Sequence, residues 1–565
     1  MTDFHTTLVK DATIGDITSD LEFAVVSGAS QTTYQAFQAT SSSNSALIWN
    51  IQVPSESIVI GRDALISAQV TTTLTIGSAV AASPFAVPVG ALAMNYGATE
   101  AYAPFPLNSL FSTLTAQINN TTVSTNLIDT LPQILRMNDS QYLSKYNSTT
   151  PSMPDMAYQA YADGLLANNN PLASFNTGSN SGVVPRGAWV LDNIVVTHQN
   201  FGGAVDASLV SGDLQDTWTV VLTSTFTEPL FLSPFTWGNP EHNAMGLLGI
   251  NNMAITANID STCSRQFRTA NPYISNIQLG SAGGNGFANA QMLFKFLSTQ
   301  PSDLVESRNV VPYMDMPRYL SNFNGSVNIG AGASTTIVSQ NIQISQIPDL
   351  FVVCVRKPMS TQTYQDSDSF LRINNISCNL NNSSGLLSSA SAFDLWRFSK
   401  LNGSNQTWNE FGGFANVADN VNGDGNTIPT IGSLLILSPA LQMSLPDYIS
   451  SSSTGQYNFT FNVNVTNQGA VAVTPEICVI CVNSGMMVTN QGVSSTYSGL
   501  LTKEMVLSAK SKDHYSTAEE IRRVGGMFLN RCARPFRRGM GHSGGATSGG
   551  ASSGGAHSGG ASKYC

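Results

Sequence analysis

Leu350 to Val355 (LFVVCV) is an unbroken apolar run of only six residues, and no other stretch restricts the fold as tightly. It is too short for a buried helix and rich in β-branched residues, which predicts a strand buried on both faces. Downstream, Ile373, Ile376 and Leu380 sit among Asn and Ser, as in a second strand with one wet side. Two sheets packed face to face bury both.

The same texture extends along the chain. Val70, Thr72, Leu74 and Ile76 alternate with Thr71, Thr73 and Thr75, a period of two. Trp218, Val220, Leu222, Ser224 and Phe226 fall on one face of another such run, and INNTTVS (118–124) reads as a tight hairpin. Many short strands at such spacing predict an all-β sandwich or barrel. Leu131, Ile134, Leu135 and Leu143 have helical spacing and predict a helix over 131–143, opening a long surface excursion. SAGGNGFAN (281–289), with Gly283, Gly284 and Gly286, predicts a linker between two halves of similar texture. The expected layout is an N-terminal arm or first strand over 1–30 and a first β unit over 31–282, with an insertion around 131–188. A second unit follows over 283–500, then a tail over 501–565.

The chain has 565 residues, too many for one core. Only 11% are charged, against roughly 25% in ordinary globular proteins. A surface of small neutral polar groups desolvates cheaply. It suits an assembly subunit; a β-rich extracellular protein is the alternative. The net charge of −10 hides an asymmetry, because the tail holds ten Lys or Arg against four Asp or Glu and the body is left strongly acidic. Ser516 or Thr517 with Glu519 or Glu520 makes a capping box for a short basic helix. Arg522, Arg523, Arg531, Arg534, Arg537 and Arg538 follow, with Phe528 and Phe536 as apolar anchors, and then four SGGA-type repeats (543–562). These arginines either neutralise nucleic-acid phosphates or anionic lipid headgroups, or form a plain solvated end.

Catalytic patterns are missing. The six histidines are scattered, with no metal-ligand spacing. Cys478 and Cys481 form a CxxC inside EICVICV, where strand geometry sends positions three apart to opposite faces and so prevents a shared metal. The seven cysteines are an odd number, mostly in apolar runs, and read as reduced buried thiols. GASSG (550–554) matches a nucleophile elbow only in letters, and NVNGDGN (420–426) reads as a turn rather than a calcium loop. No signal peptide is expected at the N-terminus, and no run reaches a membrane-spanning length. Sequons such as Asn119, Asn375 and Asn405 read as by-products of Asn/Ser/Thr richness. No enzyme, metal or cofactor is expected.

IPDLFVVCVRKP (347–358), SDSFLRINNISCNLNN (367–382), GLLSSASAFDLWRFSKLNG (385–403), GSLLIL (432–437) and GQYNFTFNVNVTN (455–467) appear in an order that resembles the second half of double-jelly-roll major capsid proteins. That group of icosahedral viruses includes polinton-like viruses, virophages and adenovirus-type hexons. ALIWNIQVP (46–54) and EPLFLSPF (228–235) carry the likeness of the first half, through layout alone. The resemblance implies two jelly-roll sandwiches side by side, homotrimers of pseudo-hexagonal outline, an icosahedral shell and a place in the virion. The implied partners are further copies of the chain and minor capsid or penton proteins, with no small-molecule substrate; genome or an internal membrane is the working partner of the tail. Two rivals stand beside it: a single-jelly-roll capsid protein with a projecting domain, and a β-sandwich carbohydrate-binding or adhesion protein.

Overall fold

The computed structural model describes residues 5–9, 23–76, 100–137, 191–199, 205–206, 217–235, 246–300 and 308–499, with short interruptions in the last two blocks. The first half contains β1 (Phe23–Gln38), β2 (Ala46–Gln52), β3 (Leu65–Ile76), β4 (Phe111–Ile118), β5 (Thr121–Thr125), β6 (Thr217–Pro229), β7 (Asn252–Ile259) and β8 (Phe287–Gln300). One sheet runs β1-β8-β3-β6 and the other β2-β7-β4-β5. First and last strands are therefore neighbours and the chain passes repeatedly between sheets, which is the jelly-roll winding.

The second half repeats this order. Its strands are β9 (Arg308–Asp315), β10 (Arg318–Asn322), β11 (Ser334–Val338), β12 (Ile342–Gln346), β13 (Leu350–Arg356), β14 (Arg372–Leu380), β15 (Ser383–Leu386), β16 (Leu435–Leu437), β17 (Thr454–Thr466) and β18 (Glu476–Asn490). β9 and β10 both pair with β18, giving β9/β10-β18-β13-β16; β11 and β12 both pair with β17, giving β11/β12-β17-β14-β15. The chain is a double jelly roll, and the single-roll alternative falls away.

Burial follows the expected periods. β3 buries Val70, Thr72, Leu74 and Ile76, and β6 buries Val220, Leu222, Ser224 and Phe226. Every residue of β13 is buried. Phe351, Val353 and Val355 enter the core between the two sheets of the second roll, whereas Leu350, Val352 and Cys354 enter a separate cluster on the other side. Cys481 lies in the first of these clusters and Cys478 in the second, so the two thiols do face apart. In β14, Ile373 and Ile376 share the inner face despite their odd spacing because a bulge between Ile373 and Asn375 shifts the register.

Two expectations change. The 281–289 segment is no linker: it turns between the strand Ile274–Leu279 and β8, and both pair with β3 of the first roll. Glycines mark a tight turn as readily as a linker; Gly280 and Gly283 adopt positive φ there. The helix begins and ends earlier than the spacing suggests, at Leu127–Leu135, with Pro132 inside it. Residues 1–30 contain the strand His5–Val9 and the start of β1, which pair with each other. The helix over Leu127–Leu135 is α2; α1 (Pro106–Ser109) precedes it, and in the second roll α3 (Ala392–Leu401) is capped by Ser391 and Asp394 in a capping box. Asn119 turns the β4–β5 hairpin at φ 50° with its carboxamide buried and bonded to Gly249 and Asn251, in keeping with a chance sequon.

Candidate functional site

The outer face of β13 is apolar because the first roll covers it. α2 lies across it, where Gln133 Nε2 donates to Cys354 Sγ at 3.5 Å and Met137 packs on the cluster around Val352. Asp129 of α2 meets the end of β13. Its carboxylate pairs with Arg356 and with Arg318 of β10, and Arg356 also reaches Glu476 Oε1 of β18 at 3.3 Å. Two carboxylates and two guanidinium groups balance in charge. Burial works against the charge on Arg356, but the Asp129 and Glu476 carboxylates beside it hold the guanidinium protonated. Burial pushes the Glu476 carboxyl up, and Arg356 pulls it back in part.

A second group of contacts continues the seam. Arg265 Nη1 donates to Ile128 O at 2.6 Å and Nη2 approaches Asp368 Oδ1 at 3.5 Å. Arg136 donates to Pro132 O and Asp368 O, both at 2.6 Å, with its guanidinium 5.0 Å from the Phe370 ring centroid. Tyr364 donates to Ile274 O at 2.7 Å. At the other end Thr121 Oγ1 donates to Ser494 O at 2.6 Å, Gly492 N to Gly249 O at 3.1 Å, and Asn309 Nδ2 to Gly246 O at 2.9 Å. Val311, Tyr313 and Met487 of the second roll pack within the core of the first. Directional bonds of this density fix both the spacing and the orientation of the two rolls.

Sequence patterns alone do not find the seam, because Asp129 and Arg356 lie 227 positions apart. One local signal exists: Arg356 and Glu476 are the charged end residues of the apolar runs LFVVCVR and EICVICV, and a charge attached to a doubly buried strand needs a partner. The arginines singled out in the tail, Arg522, Arg523, Arg531, Arg534, Arg537 and Arg538, lie outside the described residues, as do the capping box before them and most of the 131–188 insertion. Among the described residues no group of three His, Cys, Asp or Glu is placed to hold a metal, and no helix is long and apolar enough to cross a membrane.

Comparison with known proteins agrees with this architecture. The family described as Sputnik virophage major capsid protein, first domain, matches residues 2–297, and the major capsid protein V20 C-terminal domain matches residues 316–485. The putative capsid protein V20 of Sputnik virophage is 27% identical over 528 residues, spanning 91% of this chain and 83% of that protein. The cryo-EM structure of the Sputnik virophage superposes with a TM-score of 0.72 at 24% identity, covering 92% of this chain and 98% of the other. The mavirus major capsid protein superposes at 0.62 with 12% identity, covering 90% and 98%. Two jelly rolls joined by a bonded seam and family matches across both rolls lead to one assignment: the chain belongs to the Sputnik virophage major capsid protein family, a family of structural proteins of the virion rather than of enzymes.

Proposed function

We propose that the chain self-associates as trimers of pseudo-hexagonal outline which tile an icosahedral shell. The observation that carries this reading is the seam. It holds two rolls of the same strand order as one body, so three chains present six similar sandwiches around an axis. Burial of neutral, Asn- and Thr-rich surface between copies supplies the affinity without desolvating many charges. The division between units belongs after Gln300, where β8 completes the first roll, and before Arg308, where β9 opens the second. The tail lies inside the shell, where its arginines meet the genome or an internal membrane, and minor capsid or penton proteins close the lattice.

Light scattering of the purified chain, followed by negative-stain images of the same peak, tests the reading. Three chains with a six-sided outline are expected. A monomer that stays monomeric at high concentration overturns it.

A further inference from the structure

The sheets β2-β7-β4-β5 and β11/β12-β17-β14-β15, one on each roll, share an outer-face chemistry that ordinary solvated sheets lack. Across these nine strands the only charged residue is Arg372, at the first position of β14. Asn, Gln, Ser and Thr dominate the outward positions, and several of their side chains bond to one another across strands. Asn374 Nδ2 donates to Asn464 Oδ1 and to Thr466 Oγ1, both at 2.8 Å, and Asn464 Nδ2 donates to Thr336 Oγ1 at 2.9 Å. On the first roll Asn258 Nδ2 donates to Thr113 Oγ1 at 2.6 Å. Val338, 49% exposed, is the one large apolar side chain standing well out of these two faces among the described residues.

A face left to solvent usually carries Lys, Arg, Glu or Asp at roughly 25–35% of its positions. Their absence restricts what covers these faces. Nucleic acid and anionic membranes need cations, lipid tails need apolar area, and a charged protein would leave its own charges desolvated without partners. Carboxamides and hydroxyls each carry a donor and an acceptor, so a face built from them is complementary to another of the same kind. Each copy presents two. The side chains bonded across strands are already ordered, which lowers the entropy cost of covering them. Obligate interfaces are markedly more apolar than this, so the chemistry fits a weak, repeated contact between capsomers and not the contact that holds three chains together.

We infer that these two neutral faces are the walls by which neighbouring capsomers meet, each covered by the like face of a second copy of this chain. The inference rests on the self-assembly reading above and names its lattice contact. Gln117 of β4 and Gln343 of β12 are exposed on the two faces, and replacing both by Glu adds one carboxylate to each at constant shape. The full-length double variant Q117E/Q343E is expected to melt with wild type and to form trimers of wild-type mass, while shell growth followed by light scattering needs about tenfold more protein. About 1 M salt, where the Debye length falls to about 3 Å, should narrow that gap. Q117K/Q343K is expected to behave alike, and mixing equal amounts of the Glu and Lys trimers should lower the requirement again, which a merely weakened chain would not do. Shell growth by either double variant at wild-type concentration overturns the inference, as does a mixture no better than its components; wild-type shells leave the capsid reading intact in both cases. Loss of trimers in variants that melt with wild type moves the contact inside the capsomer and also overturns it, and so do wild-type shells that form only when a different protein is added. A wild-type chain that stays monomeric overturns both readings.

Discussion

Arg356 of the second roll and Asp129 of the first form an ion pair whose side chains are only 1% and 3% exposed. Such a pair contributes little net stability when formed, because desolvating both ions offsets their attraction. Losing one partner is another matter. Asp129→Ala leaves Arg356 and Arg318 facing each other with Glu476 as the remaining carboxylate, and should cost about 3–5 kcal/mol. Denaturant unfolding monitored in both rolls checks this; the two rolls should lose stability together, since the charge cluster belongs to neither alone.

Glu228 of β6 supplies a pH dependence. Its carboxylate accepts the Leu107 and Asn108 N–H groups at the start of α1 and the Asn108 side-chain amide, all at 2.8 Å. Complete burial nevertheless outweighs these donors and raises its pKa to about 7 from 4.5. The folded state thus binds this proton more tightly than the unfolded chain. Its contribution is complete below pH 4.5 and is lost as pH rises through 7, a fall of about 3 kcal/mol. Glu228→Gln should flatten the stability profile across that window, as measured by urea midpoints from pH 4 to 8.

The strands, their faces and the all-β sandwich class are legible because they depend on period-two burial, a local property, whereas the jelly-roll winding follows only from the resemblance to capsid proteins. Leu350 to Val355 announced its second buried face without revealing what covers it. That cover is α2, whose Asp129 and Gln133 come from more than 200 positions away, and no local pattern carries such pairing. The glycines of 281–289 were ambiguous for a different reason: φ > 0 serves a hairpin and a linker equally, and only pairing of both flanking strands with β3 decides between them. The capping box at Ser391 and Asp394 shows in the sequence as S-x-x-D, but the short helix it opens lies among strand signals that mask its period.

The described thiols should be chemically silent in the folded protein. Cys354, Cys378, Cys478 and Cys481 are buried and free, and burial pushes the Cys378 thiol up to about 12. Access is negligible for all four, and the raised pKa of Cys378, Cys478 and Cys481 suppresses their thiolates as well. Peptide mapping after alkylation of native protein should find these four cysteines unmodified, and all four labelled once the chain is unfolded in denaturant.

Gly432 occupies a position no other residue fits. Its φ is +92°, and a Cβ there would lie 1.8 Å from the Phe370 carbonyl oxygen. Backbone cannot yield as a side-chain tip can, and Phe370 N–H is itself bonded to Ile431 O at 2.6 Å. Gly432→Ala should cost at least ~2 kcal/mol, from the left-handed conformation and the displaced backbone together. A fall of several degrees in melting temperature checks it.

On the proposed reading, the tail serves packaging and not assembly. Both rolls are complete without it, since the last described strand, Val493–Ser498, pairs with β18 and ends before residue 501. Deleting residues 516–565 should therefore leave the number of chains per particle and the melting temperature unchanged. It also removes the six arginines between Arg522 and Arg538 from a chain whose remaining net charge is strongly negative. If they neutralise nucleic-acid phosphates, the full chain should retain DNA at low salt and release it steeply as salt rises, with several counterions displaced. The truncated chain should show no such retention. Preferential retention of anionic vesicles over DNA would instead assign the tail to an internal membrane, and equal behaviour of full and truncated chains toward both would reduce it to a solubilising end.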